Sequence, residues 1–173
     1  VGGSIEDATG RAGDPLYAID FATERVRAAV EAARALSFPF ALTARAENYL
    51  VGHADLADTI RRLQAYQEAG ADVLYAPGLK SREDIAEVVR SVDRPVNVLM
   101  GLQGALLSVE DLAALGVRRI SVGGSLARAA LGALVRAAGE IMEHGTFTYS
   151  SDAASNADIN ALFAKASHTW GAK

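Results

Sequence analysis

The chain has no cysteine, and only four prolines and one tryptophan, in 173 residues. The missing cysteines exclude a disulfide framework, a thiolate zinc site and a cysteine nucleophile. No apolar run approaches the roughly 18 residues that a membrane-spanning helix needs, and the amino end has no signal-peptide pattern, so a cytoplasmic setting is expected. A basic excess is missing too. The 17 Lys and Arg are outnumbered by 21 Asp and Glu, and they scatter over predicted helices without an aromatic-interleaved patch, which argues against nucleic acid and for a small-molecule partner. What is present is 50% hydrophobic and 22% charged, the composition of an ordinary globular chain with enough length for one core.

The sequence opens on Val1-Gly2-Gly3-Ser4-Ile5-Glu6-Asp7, which reads as a buried strand ending in two carboxylates, with neither an initiator Met nor a helical lead-in before it. That start leads us to expect earlier units upstream. Residues 8–20 form a predicted loop punctuated by Gly and Pro, followed by an Ala-rich helix with the stripe Ala22, Val26, Ala29, Val30, Ala33 and Leu36. A second strand over residues 40–47 leads into a helix that Asp55 caps and Gly70 stops, with Leu56, Ile60, Leu63 and Tyr66 on one side. Residues 72–76 give a short strand. Ser81, with Asp84 three residues on, caps the next helix, and Ile85, Val88 and Val89 form its apolar face. Residues 95–100 are again a strand, Ser108 starts a short helix stopped at Gly116, residues 118–123 are the fifth strand, and residues 126–143 a long Ala/Leu-rich helix. Periodicity then stops. Residues 145–155 read as a polar connector and residues 156–166 as a small terminal helix carrying Ile159, Leu162 and Phe163.

Alternating strands and helices of this kind favour a parallel sheet. A doubly wound open sheet would be complete at this length, whereas an eight-stranded barrel of about 250 residues would be only partly present. The first strand lacks the G-x-G-x-x-G turn of a dinucleotide fold, and the abrupt start fits removed units, so the barrel is preferred.

Charge at the carboxyl ends of parallel strands points to an active-site rim. Strand alternation places Glu6 with Ser4 on one face and Asp7 on the other, and sets Thr43, Arg45 and Glu47 together. Glu6 is the better candidate of the two carboxylates. It can bind Mg²⁺ directly or through water, or serve as a rim salt bridge or helix cap. Arg is rarely buried without a partner, so Arg45 is either a clamp for a substrate carboxylate, an internal ion pair with Glu47 or Glu6, or both. Asn97, a lone amide in the apolar run Val96-Asn97-Val98-Leu99-Met100, faces a cavity or holds a neighbouring loop. Gly123-Gly124-Ser125 at a strand-to-helix junction suits an anion, or is a tight turn. His53, His144 and His168 have no metal-ligand spacing. Tyr49 and Tyr75 are read as packing residues and Trp170 as a docking anchor.

The strings Gly3-Ser4-Ile5-Glu6-Asp7, Leu42-Thr43-Ala44-Arg45-Ala46-Glu47, Glu68-Ala69-Gly70-Ala71-Asp72 and Pro95-Val96-Asn97-Val98, in this order, resemble the isocitrate lyase/phosphoenolpyruvate mutase superfamily over nearly the whole chain. The resemblance implies an α/β fold, a (β/α)₈ TIM barrel of which this chain supplies about strands 4–8 in residues 1–144. Residues 145–173 would be a connector and helix packing on a neighbouring subunit, in a homotetramer. It further implies a Mg²⁺-dependent carbon–carbon lyase or decarboxylase of small 2-oxo or 2-hydroxy acids, working through an enolate. Glu6 matches the family's Glu that holds metal waters, and Arg45 its Arg that contacts substrate. Asn97 and Glu47 are added as substrate-binding candidates. Residues 8–20 match the gating loop, with Gly10, Gly13 and Asp14 as its candidate residues.

Two departures shape the expectation. The lyase branch carries a Lys-Cys-Gly-His type of motif in that loop, and the mutase and phosphonopyruvate-hydrolase branches favour Lys and Asn there. This loop reads Ala8-Thr9-Gly10-Arg11-Ala12-Gly13-Asp14-Pro15. The sixth strand ends Tyr75-Ala76-Pro77, where several members place Glu or His. A decarboxylase-like or uncharacterised branch is the nearest match. The family's direct Mg²⁺ ligands belong to the first three units, so the expected partners include the missing amino-terminal part of the barrel or other copies of the chain, besides a small carboxylate substrate. Two other readings remain: a non-catalytic barrel remnant that mediates assembly, and a phosphate-binding barrel enzyme using Gly123-Gly124-Ser125 and Gly101-Leu102-Gln103-Gly104.

Overall fold

The computed structural model of the protein describes residues 1–101 and 106–170, with side chains described as far as residue 164. Five strands, β1 (Gly2–Glu6), β4 (Ala41–Arg45), β5 (Val73–Tyr75), β6 (Val96–Leu99) and β7 (Arg119–Ser121), form one sheet in the order β1-β4-β5-β6-β7. Every neighbouring pair is parallel, as expected from the alternation. The register aligns Glu6 with Arg45, Arg45 with Tyr75, Tyr75 with Asn97 and Asn97 with Arg119. Partners in register point to the same face, so one polar row runs across the sheet.

Helices return the chain from each strand to the next: α1 (Ile19–Arg34), α2 (Leu56–Glu68), α3 (Arg82–Arg90) and α4 (Val109–Ala114). Their starts follow side-chain chemistry. Asp55 accepts from the Asp58 N–H and Ser81 from the Asp84 N–H, while Ser108 and Asp111 form a reciprocal capping box. Gly70 and Gly116 follow α2 and α4 with φ of 102° and 88°, the left-handed turn that glycine adopts without Cβ cost. The core lies between sheet and helices. Ala44 and Ala46 of the second sheet strand's line, Leu74, Val96 and Val98 meet Leu63, Tyr66, Ile85, Val88 and Leu112 from the helices. Small side chains on the strand side let the helices approach closely.

Two expectations need correction. The opening strand is not buried: Gly2, Gly3, Ser4 and Glu6 are exposed, because β1 stands at the end of the strand order and pairs with β4 alone. Its glycines serve close approach instead, since a Cβ on Gly2 would sit 2.6 Å from the Ala41 carbonyl oxygen. Residues 8–20 are also not a plain loop. They fold into an antiparallel hairpin, β2 (Ala8–Arg11) and β3 (Asp14–Leu16), before α1 begins. The Thr9 hydroxyl donates to the Asp14 carbonyl and Arg11 pairs with Asp14 at 2.7 Å, which closes so short a ribbon despite Gly10, Gly13 and Pro15.

The chain divides into two compact units, Val1–Leu126 and Ala127–Lys173. Helix α5 (Ser125–His144) starts in the first and runs through the second, which also holds a 3₁₀ turn (Thr148–Asp152) and α6 (Asn156–Trp170). In the second unit Glu140 gathers the N–H groups of Thr148 and Tyr149 and the hydroxyl of Thr146, giving the expected polar connector a fixed turn. Leu102, Gln103 and Gly104 of the Gly101-Leu102-Gln103-Gly104 segment, and the Trp170 side chain, lie outside the described residues.

Candidate active site

The carboxyl ends of β1 and β4 bring Glu6, Arg45 and Glu47 together. Arg45 Nε donates to Glu47 Oε1 at 2.7 Å, and its Nη2 lies 3.2 Å from Glu6 Oε2. Side-chain exposure falls across this trio, from 47% at Glu6 to 26% at Arg45 and 5% at Glu47. The ion pairs foreseen for Arg45 with Glu47 and Glu6 are both present, and the Glu6 side is the more exposed. Burial pulls the Arg45 guanidinium down, but hydrogen bonding and charge from Glu47, then charge from Glu6, outweigh it and raise its pKa. Burial raises Glu47 above its ordinary value even with Arg45 pulling it down.

The guanidinium lies 5.2 Å from the ring centroid of Tyr75, close enough for a cation–π contact. Tyr75 is buried, in keeping with the packing reading, and the register also sets it in the polar row beside Arg45. Burial raises its pKa, against a hydrogen bond to Ser121 and the charge of Arg45. Asn97 donates from Nδ2 to Ser121 Oγ at 2.9 Å, while its Oδ1 is buried without a hydrogen-bond partner. A cleft of about 580 Å³ opens on this face, lined by Ser4, Thr43, Arg45, Tyr75, Arg119 and Ser121 among others. Arg119, which sequence reasoning passed over, reaches across to Thr43 Oγ1 at 3.3 Å. Its signal was the strand register, invisible until the strands are paired.

The hairpin candidates are elsewhere. Gly13 and Asp14 line a separate cleft of about 460 Å³ with Asn48, His53, Asp55, Asp58 and Arg62, and Gly10 sits at a φ of 73° within the ribbon. At residues 123–125 the Ser125 N–H is already donated to the Val122 carbonyl, which leaves an anion one backbone donor fewer there.

Asp7, passed over in favour of Glu6, anchors a polar cluster on the other side of the sheet. It is 2% exposed. Its Oδ1 accepts from the Glu47 N–H at 2.8 Å, and its Oδ2 accepts from the Tyr66 hydroxyl at 2.6 Å and Arg62 Nη1 at 3.1 Å. Arg62 also donates to Asp58 and to the Tyr17 carbonyl, and Asn48 Nδ2 donates to Asp58. Burial and the Asp7 charge push the Tyr66 phenol far above its ordinary range. The sequence did carry a signal for this cluster, because Asp58, Arg62 and Tyr66 are spaced i, i+4, i+8 along one face of α2.

Among the described residues no group of three or more His, Asp or Glu side chains is placed to hold a metal ion, and no helix is long and apolar enough to cross a membrane.

A parallel α/β sheet with a polar rim at its strand ends is the arrangement in which enzymes of this architecture bind small ligands. The model of the phosphoenolpyruvate phosphomutase family matches residues 1–142, and the chain belongs to that family, within the phosphoenolpyruvate mutase/isocitrate lyase superfamily. A candidate lyase/mutase from Burkholderia cenocepacia J2315 is 65% identical with a TM-score of 0.91, over 95% of this chain and 59% of that one. Phosphonopyruvate hydrolase, in a complex with oxalate and Mg²⁺, is 26% identical with a TM-score of 0.74, over 97% of this chain and 60% of its own. Among curated relatives, an uncharacterised Mycobacterium tuberculosis protein is 40% identical over 83 residues, 47% of this chain and 31% of that protein. Oxaloacetate decarboxylase of Bradyrhizobium diazoefficiens is 41% identical over 63 residues, 36% of this chain and 22% of the enzyme. The chain therefore spans about three-fifths of these solved relatives, and its matches cover about a third or less of the curated ones.

Proposed function

We propose that the chain supplies strands four to eight of a (β/α)₈ barrel enzyme, a Mg²⁺-dependent lyase or decarboxylase of small 2-oxo or 2-hydroxy acids that works through an enolate. The observation that carries this reading is the half-open Arg45. Glu47 takes its Nε–H and fixes the plane of the guanidinium, while the longer contact to the more exposed Glu6 is the one a substrate carboxylate can replace. Tyr75 supports the guanidinium from beneath and Asn97 offers an unused amide oxygen near the same row. The relatives named above point the same way, since one acts on oxaloacetate and another holds oxalate with Mg²⁺.

Glu6 fits a water-mediated hold on Mg²⁺, being a half-exposed carboxylate at a strand end, but it is a single donor. The direct ligands belong, in this reading, to the family's first three strands. When bound, Mg²⁺ supplies the positive charge that an enolate oxygen needs. This chain's residues do the rest: Arg45 binds and orients the substrate carboxylate, and Glu47 keeps Arg45 in place. The hairpin at residues 8–16 takes the gating role, and the unit Ala127–Lys173 packs on a neighbouring copy through the exposed Leu131, Leu134 and Val135 of α5, giving a homotetramer.

Thermal melts with oxalate, with and without Mg²⁺, on the chain joined to the first three strands of such a barrel, test the reading. Stabilisation by oxalate that requires Mg²⁺ and disappears in Arg45→Ala is expected. Stabilisation by sugar phosphates without metal would move the assignment to a phosphate-binding barrel instead.

A further inference from the structure

Replacing a buried ion pair with well-packed apolar side chains is often neutral or stabilising, so a cluster such as Asp7, Arg62 and Tyr66 calls for a reason other than stability. Its connections supply one. The Asp7 carboxylate holds the backbone N–H of Glu47, whose own carboxylate fixes Arg45. The next residue, Asn48, is tied through its side chain to Asp58, and Asp58 in turn holds Arg62. Glu47 and Asn48 are therefore pinned from two sides just where β4 ends and the rim begins. The same network reaches the hairpin. Asp7 accepts the Tyr17 N–H on its backbone carbonyl, and Arg62 holds the Tyr17 carbonyl at 2.9 Å. Tyr17 closes the hairpin's far end, with Arg25 over its ring at 4.5 Å and Arg25 donating to the Glu6 carbonyl.

We propose that Asp7 is the positioning residue of the site: its carboxylate sets the orientation of Arg45 through Glu47, and through Arg62, which also holds the Tyr17 carbonyl, it ties the base of the hairpin to the same point. The role rests on the Arg45 site proposed above but is carried by contacts of its own. Asp7 touches no substrate. It acts by giving the Arg45–Glu47 pair a rigid base, so that the guanidinium is already aimed when a carboxylate arrives and its ordering cost is paid in folding.

The test uses the full chain with Asp7→Asn and, in case that variant folds poorly, Tyr66→Phe. Asn keeps the shape but turns an N–H₂ towards Tyr66 and Arg62, or away from them and against the Glu47 N–H; Phe removes a single donor. Backbone amide exchange is read at Glu47 and Tyr17, with Leu74, whose N–H is bonded to Pro95 in the middle of the sheet, as the internal standard. Exchange at Glu47, whose N–H the Asp7 side chain holds, should speed up about tenfold or more relative to Leu74 in Asp7→Asn, and by less in Tyr66→Phe, while Tyr17, bonded to the backbone carbonyl of residue 7, should change less than Glu47. Oxalate affinity with Mg²⁺, measured where each variant is folded, should weaken about tenfold in Asp7→Asn, a change that lost stability alone would not produce. Parallel acceleration at all three amides, or none at Glu47, overturns the proposal, as does unchanged oxalate affinity. If the unsubstituted chain, joined to the first three strands of the proposed barrel, does not bind oxalate, the functional reading fails, and the exchange pattern alone decides whether Asp7 positions Glu47.

Discussion

Glu6 and Asp7 are neighbours in sequence, yet they anchor two regions built on different terms. On the cleft side Glu6 is half-exposed and meets one cation at 3.2 Å, at a rim whose members can exchange partners with a ligand. On the helix side Asp7 is closed off from water and accepts from three donors. The comparison teaches that strand alternation, by turning one carboxylate each way, gives adjacent residues an open environment on one face and a closed, fully partnered one on the other. A half-exposed pair at the rim costs little stability to disturb, whereas breaking the buried cluster leaves charged and polar partners without their acceptor.

The strongest way to break that contrast is Asp7→Ala. It leaves Arg62 and Tyr66 buried around a vanished carboxylate, and loss of one partner from a buried pair typically costs about 3–5 kcal/mol. A fall of that size in the urea-unfolding free energy is expected. A loss below about 1 kcal/mol would mean that water or relaxation satisfies Arg62 as well as Asp7 does.

The rim was legible in the sequence because Glu6, Arg45 and Glu47 sit at strand ends, where alternation alone assigns their faces, although the meeting of Glu6 with Arg45 takes the pairing of β1 with β4. The alternation of elements also disclosed the parallel sheet, and capping residues at Asp55, Ser81 and Ser108 marked helix starts that the structure keeps. The interior cluster was not legible in the same way, because Arg62 and Tyr66 lie 55 and 59 residues from Asp7 and meet it only once α2 packs on the sheet. The hairpin was missed for a local reason. Its strands are four and three residues long and contain Gly10 and Pro15, so composition says loop while side-chain closure by Thr9 and Arg11 says ribbon. Tyr75 is buried as a packing residue should be, but its register partner Arg45 adds a cation contact that the sequence of a three-residue strand does not disclose.

Acid sharpens the contrast with a smaller effect. Burial alone would raise Asp58, but hydrogen bonds from Arg62, Asn48 and Arg61 bring it below its ordinary value of 3.8. A depressed carboxylate adds stability that is present above the ordinary pKa and is lost as pH falls through the folded value. Glu47 runs the other way: raised by burial above 4.5, it adds stability that is present below its ordinary pKa and is lost as pH rises through the folded value. Unfolding measured from pH 6 down to about 3 should therefore show a loss that Asp58→Asn flattens and Glu47→Gln steepens. Identical pH profiles in all three proteins would detach both carboxylates from the acid transition.

The smallest expected change in stability is at Glu6→Gln. An exposed pair at this distance contributes about 0–1 kcal/mol, and the amide keeps an oxygen that Arg45 can still donate to, so the urea midpoint should hardly move. Binding separates the two roles left open for this carboxylate. If Glu6 is only the counter-ion of Arg45, its neutralisation frees the terminal guanidinium nitrogens, and oxalate should bind at least as well, with an unchanged Mg²⁺ response. If it holds metal waters, the Mg²⁺-dependent part of the oxalate stabilisation should disappear while any metal-free part persists or grows. We expect the second result, since a carboxylate left 47% exposed at a strand end, beside a better-buried partner already serving Arg45, is poorly used as a counter-ion alone.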